Sequence, residues 1–315
     1  MSGTARDRSQ QPLLPRYRKV FVMAPANLVT GGPEALHQLV DAVRRCGGEA
    51  YISYYPRDVR AEIPEDYRCY DVVQADVEDA PGNLVVFPET QPLMGRTFVR
   101  AATAIWWLSV DHFLQHPERP DWEEVRRHVN FAQSHYAADL LARYGVESIP
   151  LTDYLNDDFR APWWAWRRNA IAYNVKSAPE IERLKSLSPE LAALTWIELA
   201  NMPRAEVRKA LCKVKVYADF GSHPGRDRMP REAALCGACV LTNCRGSANF
   251  AEDVPLPTLY KLDQDDPAFA QNVGRTIRLI LATRPFHVWR QQRFRRFAAS
   301  AKASFTAEVR RAFFA

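Results

Sequence analysis

The sequence contains no apolar run of about 18 residues and no charged-then-apolar leader at its start. We therefore expect neither a membrane span nor a secretory signal. It also lacks the G-x-S-x-G, H-E-x-x-H and P-loop patterns, each of which accompanies a particular catalytic or phosphate-binding chemistry. A single C-x-x-C pair, Cys236 and Cys239, has no second pair and no flanking histidine, so we do not expect a zinc site.

The composition is that of a folded globular protein. The 315 residues are 47% hydrophobic and 25% charged, and the length suits two domains. The six cysteines lie mostly in apolar stretches, which is typical of reduced thiols in a cytoplasmic protein. The net charge of +5 is mild and by itself selects no partner among nucleic acids, membranes and phosphorylated ligands.

Short apolar runs alternate with helical patterns along most of the chain, as in KVFVMAP at 19–25 and EAYISYY at 49–55. This alternation predicts parallel sheets covered by helices, and it starts again after an aromatic stretch at 161–169. We therefore expect an α/β protein with two Rossmann-like domains facing a cleft. The expected segments are a disordered tail (1–17), a first domain (18–155), a linker (156–168), a second domain (169–283) and a C-terminal helical segment (284–315).

The stretch GSHPGRDRMPRE directly follows an apolar strand in the second half of the chain. It contains Gly221, His223, Arg226, Arg228, Arg231 and Glu232. Ligands of doubly wound sheets bind at the carboxyl ends of the strands, and arginines at a helix start suit a phosphate or diphosphate. Glu232 could then accept hydrogen bonds from sugar hydroxyls. The alternative is an ion-pair cluster in which Arg228 pairs with Glu232, four residues further on.

Two longer stretches carry a resemblance to a known family. PREAALCGACVLTNCRGSANF at 230–250 and PANLVTGGPEALHQLVDAVRRCGGEAYISYY at 25–55 resemble the paired signatures of GT-B-fold glycosyltransferases. Together with IWWLSVDHF at 105–113, they resemble bacterial members associated with surface polysaccharide synthesis. The resemblance extends over about residues 19–262. This sequence departs from the family at AYNVKSAPE, which lacks the usual glycine, and at Gly225, which stands where retaining members carry a second carboxylate.

The resemblance implies that the second domain holds a nucleotide-sugar donor, with Glu232 on the ribose and cationic groups on the diphosphate. It also implies that Gly31 and Gly32 approach the donor from the first domain. The complete set of candidate contacts to the nucleotide-sugar is Gly31, Gly32, Tyr173, Asn174, Lys176, Gly221, His223, Arg226, Arg228, Arg231, Glu232 and Ser247.

Three residues of the first domain are candidates for catalysis. Asp111 and His112 follow an apolar strand, where either could act as general base on an acceptor hydroxyl. Asp111 could instead be the N-cap of a short helix. Glu34 lies near the start of the helix that follows Gly31 and Gly32, a position where the helix dipole favours acids in any case.

The sequence thus predicts a metal-independent glycosyltransferase of the GT-B type that moves a sugar to a hydroxyl on a saccharide or lipid-linked acceptor, in polysaccharide or glycoconjugate synthesis. We expect no cofactor besides the donor and no nucleic-acid partner. Two other functions remain open, a nucleotide-sugar epimerase and a non-catalytic nucleotide-binding subunit of a polysaccharide assembly complex.

The C-terminal segment is basic and aromatic. From Arg284 onward it contains eight Lys or Arg residues and one acid, with seven aromatic residues among them. One interpretation is a helix that packs its aromatic side chains against both domains. The other is peripheral contact with an anionic membrane, on the inner face of the cell membrane.

Overall fold

The computed structural model describes residues 12–156, 159–161 and 165–314. These residues divide into two compact units. Unit 1 contains the chain up to Asp153 together with the residues from Lys302 onward, and unit 2 runs from Tyr154 to Ala301. Most of the expected tail lies outside the described residues, but Leu13–Arg16 forms a short helix, α1, with Leu13 buried. Part of the expected linker, 157–158 and 162–164, is also outside them.

Unit 1 is built on six parallel strands in the order β2-β1-β3-β4-β5-β6. The strands are β1 (Lys19–Pro25), β2 (Glu49–Tyr55), β3 (Asn83–Pro88), β4 (Ala102–Trp107), β5 (Val129–Ala132) and β6 (Ile149–Pro150). Its helices between these strands are α2 (Gly31–Arg45), α3 (Val110–Gln115), α4 (Trp122–Val125) and α5 (His135–Arg143). The central strands read as nearly continuous apolar runs because both faces of a parallel sheet are buried.

Unit 2 is built on four parallel strands in the order β10-β9-β7-β8. They are β7 (Arg168–Asn174), β8 (Thr195–Leu199), β9 (Val214–Asp219) and β10 (Cys239–Thr242). The helices are α6 (Ala178–Leu187), α7 (Pro189–Ala192), α8 (Arg204–Lys213), α9 (Arg228–Leu235) and α10 (Phe269–Arg290). The predicted α/β class with a C-terminal helical segment is therefore confirmed.

The last helix, α11 (Gln292–Phe313), belongs partly to each unit. Its first part contributes Phe294 to the core of unit 2. Its second part contributes Phe305 and Phe313 to unit 1, where Phe305 stacks on Trp106 and Phe313 stacks on Phe131. Among the described residues, no helix combines the length and the apolar character needed to cross a bilayer.

Candidate functional site

The polar residues of unit 2 gather where the strand order reverses. The chain order of the strands changes direction between the adjacent strands β7 and β9, and such a switch point opens a crevice at the carboxyl ends of the strands. Asn174 is the last residue of β7 and Lys176 follows it, and the stretch 220–227 follows β9. The fold thus brings two predicted parts of the site, about 45 residues apart in sequence, to one edge of the sheet.

Asp219, the last residue of β9, organises this edge and is not among the site residues predicted from the sequence. Its buried carboxylate accepts hydrogen bonds from Tyr217 Oη at 2.8 Å, Asn174 Nδ2 at 3.1 Å and Ser177 Oγ at 3.1 Å. The backbone N–H of Gly221 also donates to Asp219 Oδ1, at 3.3 Å. Asn174 therefore helps to fix the Asp219 carboxylate, which in turn bonds the loop at Gly221. The Oδ1 of Asn174 accepts a hydrogen bond from the backbone N–H of Ser177.

His223 is the buried centre of the turn. Its φ of 52° lies in the left-handed region, and its Nδ1 lies 2.8 Å from Asp227 Oδ2. Its Nε2 lies 3.3 Å from the carbonyl oxygen of Asp219. Burial on its own lowers the pKa of His223, but the carboxylates of Asp219 and Asp227 outweigh it and raise the pKa to about 9. The imidazole is therefore a cation at neutral pH, and it neutralises Asp227 beside the crevice.

The loop after β10 closes over the same turn. Ser247 donates from its Oγ to the carbonyl oxygen of Gly225 at 2.6 Å and from its backbone N–H to that of His223 at 2.9 Å. Gly246 has a φ of 52°, and a Cβ at this position would lie 2.1 Å from the carbonyl oxygen of His223. Ser247 is fully buried, so its contacts in the structure shape the turn.

Two of the three predicted arginines, Arg226 and Arg231, contact other groups of the protein. Arg231 donates to the carbonyl oxygens of Arg226, at 2.7 Å, and Asp227, at 3.1 Å. The guanidinium of Arg226 lies 4.8 Å from the centre of the Phe297 ring. Both side chains are buried. These contacts hold the turn in shape, and the expected contact of both arginines with a phosphate stays a prediction.

Lys176 and Arg228 form the more accessible part of the turn, and the Glu232 carboxylate beside Arg228 is buried. Lys176 is exposed, and its Cβ lies 3.4 Å from the place where a Cβ of Gly221 would be. Arg228 Nε donates to Glu232 Oε1 at 3.4 Å, which is the pairing that the ion-pair interpretation expects. Burial raises the pKa of Glu232, and the neighbouring arginines, Arg228 first, oppose that rise. A ligand with hydroxyl and phosphate groups suits this combination.

Tyr173 packs against Trp196 and Lys185 within unit 2. Its buried ring meets the Trp196 ring edge-on, with 6.0 Å between centroids, and Lys185 Nζ lies 5.8 Å from its centre. Its predicted contact with a nucleotide-sugar stays a prediction.

In unit 1, Gly31 and Gly32 begin α2 at the carboxyl edge of the sheet. A Cβ on Gly32 would lie 3.9 Å from Leu108 Cδ1, which places this glycine beside the end of β4. Glu34, in the first turn of α2, is buried and accepts a hydrogen bond from Tyr70 Oη at 2.7 Å. Its position therefore serves the packing of α2.

Asp111 and His112 lie in the first turn of α3, whose N-cap is Ser109. The alternative reading of Asp111 as the N-cap is therefore wrong by two residues. Asp111 Oδ1 accepts a hydrogen bond from Tyr136 Oη at 3.0 Å, and His112 is exposed. Tyr136 thus fixes the Asp111 carboxylate while leaving it half-buried.

Glu89 is a second residue that sequence reasoning missed. It follows β3 next to the switch point of unit 1, which lies between β1 and β3. The backbone N–H of Leu108 donates to its Oε2 at 2.8 Å, while its Oε1 is buried without a hydrogen-bond partner among the described residues. Burial raises the pKa of Glu89 to about 8, against the opposing effect of backbone N–H groups. Glu89 is therefore mostly protonated at neutral pH.

Within the described ranges, no group of three or more His, Cys, Asp or Glu side chains is placed to hold a metal ion. The sequence contains one Asp-x-Asp spacing, formed by Asp263 and Asp265. Glycosyltransferases of the GT-A type hold a metal ion with such a motif. In the structure Arg245 donates to Asp265 at 3.2 Å, and the backbone N–H of Asp265 donates to Asp263 Oδ1. Metal independence stays a prediction.

The two units have the fold of the GT-B glycosyltransferases. The sucrose-phosphate synthase of Thermosynechococcus elongatus matches 92% of this chain and 97% of its own, with a TM-score of 0.61 and 11% identity. WaaG, a glycosyltransferase involved in lipopolysaccharide biosynthesis, matches 92% and 99%, with a TM-score of 0.57 and 13% identity. Anabaena HepE, solved in complex with UDP and glucose, matches 93% and 98%, with a TM-score of 0.62 and 10% identity.

At these identities the likeness establishes the fold alone. Neither a family model nor a curated protein matches the sequence. The predicted resemblance to the GT-B fold is confirmed.

Proposed function

We propose that the protein transfers a sugar from a nucleotide-sugar donor to a hydroxyl group of a saccharide or lipid-linked acceptor, in polysaccharide or glycoconjugate synthesis. The observation that carries this proposal is the turn between β9 and α9. There Lys176 lies beside Gly221, and Arg228 pairs with Glu232 in the helix that follows the turn. The neighbouring structures are glycosyltransferases of the same architecture, and this supports the reaction class.

In this proposal the diphosphate of the donor lies at the first turn of α9, where backbone N–H groups have no partner within the helix. Lys176 and Arg228 supply positive charge, and the His223 imidazolium offsets the charge of Asp227. Glu232 accepts hydrogen bonds from the ribose hydroxyls. Stabilisation of the departing nucleoside diphosphate by these cations provides much of the rate enhancement.

Unit 1 provides the acceptor-side chemistry in this proposal. Asp111, oriented by Tyr136, is our first candidate for the general base that takes the proton of the acceptor hydroxyl. Glu34 and His112 remain the other candidates. Gly31 and Gly32 let the backbone at the start of α2 approach the donor. The proposal includes no cofactor and no metal.

We expect Lys176→Gln and Glu232→Gln each to weaken nucleotide binding by about 10-fold to 100-fold, because each loses a hydrogen bond to a charged group worth roughly 1.5–3 kcal/mol. A thermal-shift screen with UDP, GDP, ADP, CDP, dTDP and CMP identifies the nucleotide, and calorimetry gives the dissociation constants. Lys209→Gln and Glu206→Gln on the exposed surface of α8 are matched controls and should bind like the wild type.

The remaining outcomes separate the rival functions. Transfer of labelled sugar to an acceptor fraction supports the proposal. An altered sugar released without an acceptor indicates an epimerase, and nucleotide binding without turnover indicates a non-catalytic subunit. If no nucleotide shifts the melting temperature, the proposal is wrong and the turn is an ion-pair cluster.

A further inference from the structure

The junction between α10 and α11 has one face fixed to unit 2 and an opposite face open to solvent. On the fixed face, Gln291 bonds both the N–H and the carbonyl of Val240 in the edge strand β10, at 2.8 and 2.9 Å. Tyr260 Oη lies 2.8 Å from His287 Nδ1, and Phe294 is fully buried. The spacing of 287, 291 and 294 places these side chains on one side of the helical path.

The open side, which we name the aromatic–basic face, consists of Phe286, Trp289, Arg290, Arg293 and Arg296. Phe286 is 50% exposed and Trp289 is 61% exposed. The two rings stack with centroids 6.2 Å apart, and the Arg290 guanidinium lies 5.5 Å from the centre of the Phe286 ring. Two large aromatic side chains in one exposed patch are costly to leave in water, which indicates a binding surface.

The charge along this part of the chain has one sign. Between Asp266 and Glu308 the sequence contains eight Lys or Arg residues and no acid. Trp and Phe side chains beside arginines are typical of helices that lie in the headgroup region of a bilayer, where the rings enter the acyl boundary and the cations meet anionic lipids.

We infer that the aromatic–basic face binds the surface of an anionic membrane. A single-stranded nucleic acid would also be attracted by arginines and aromatic rings. However, Trp289 stacks on Phe286 and Arg290 lies over the same ring, so a base would have to compete with these two side chains for the Phe286 ring. Ring edges and the indole N–H remain available for lipid headgroups and acyl chains.

The test uses the full-length protein and flotation with vesicles of phosphatidylglycerol mixed with phosphatidylcholine. We expect binding to these vesicles, little binding to vesicles of phosphatidylcholine alone, and release as salt is added. The double variant Phe286→Ser/Trp289→Ser should bind on the order of tenfold less. Leu187→Ser, at an exposed apolar site elsewhere in unit 2, and Val99→Ser in unit 1 are matched controls and should bind normally.

The charge variant Arg293→Gln/Arg296→Gln should bind about fivefold less for each arginine removed, whereas Arg57→Gln/Arg68→Gln, at exposed sites of unit 1, should not differ from the wild type. Unchanged melting temperatures show that the variants fold. Equal binding by the face variants and their controls, or binding that ignores lipid charge, overturns the inference. Capture of a single-stranded RNA oligonucleotide in preference to the vesicles overturns it as well.

Discussion

Asp219→Ala is expected to lower the free energy of unfolding of unit 2 by about 3–5 kcal/mol, which is the cost of removing one partner from a buried charged network. The change leaves Tyr217 Oη, Asn174 Nδ2 and Ser177 Oγ without their shared acceptor. It also removes one of the two carboxylates that keep His223 charged. Differential scanning calorimetry should show a fall in melting temperature on the order of 10 °C.

Asp265→Ala is the control for this experiment, since Asp265 is an exposed acid of the same unit that contacts Arg245. It should stay within about 0.5 kcal/mol of the wild type. A loss below about 1 kcal/mol for Asp219→Ala would show that water replaces the carboxylate, and that Asp219 does not organise the turn.

Glu89→Gln is expected to remove a pH dependence from the stability of unit 1. The pKa of Glu89 is about 8 in the folded protein and about 4.3 in an unfolded chain. Between these values the folded state holds a proton that the unfolded state releases, so the free energy of unfolding falls as the pH rises. By pH 9 this fall amounts to roughly 3–5 kcal/mol in the wild type, and glutamine, which stays neutral, avoids it.

Urea unfolding of both proteins from pH 5 to pH 9 measures this difference. The two should be within about 1 kcal/mol of each other at pH 5, and the variant should be the more stable at pH 9. The matched control is Glu62→Gln, at an exposed acid of unit 1, whose stability should follow that of the wild type. Parallel profiles for wild type and Glu89→Gln would mean that Glu89 is ionised in the folded protein.

Much of the fold could be predicted because a buried parallel strand appears in the sequence as a short, nearly continuous apolar run. Apolar runs identified β1 and β2 with the bounds that the structure has. Helix patterns and strand-end loops then placed the turn at 221–232 at the correct edge of its sheet.

The roles of single side chains in the site were harder to predict, because they depend on partners distant in sequence. Asp219 looks like the polar end of an ordinary strand until Asn174 and Ser177, 45 and 42 residues away, are seen to donate to it. Glu89 becomes unusual only once the end of β4 covers it. Arg226 and Arg231 fit a phosphate site by residue type, but nothing in the local sequence shows that Phe297 and a backbone carbonyl oxygen contact them.

The division of α11 between the units has a consequence for synthesis on the ribosome. Unit 2 is one continuous segment, but unit 1 needs Phe305 and Phe313 to cover Trp106 and Phe131. When the first 153 residues have emerged, those two rings still lack their final cover. Domains usually finish folding in the order in which they are made. Here the second unit can complete its core first, whereas Trp106 and Phe131 of the first unit are covered only after α11 has been made.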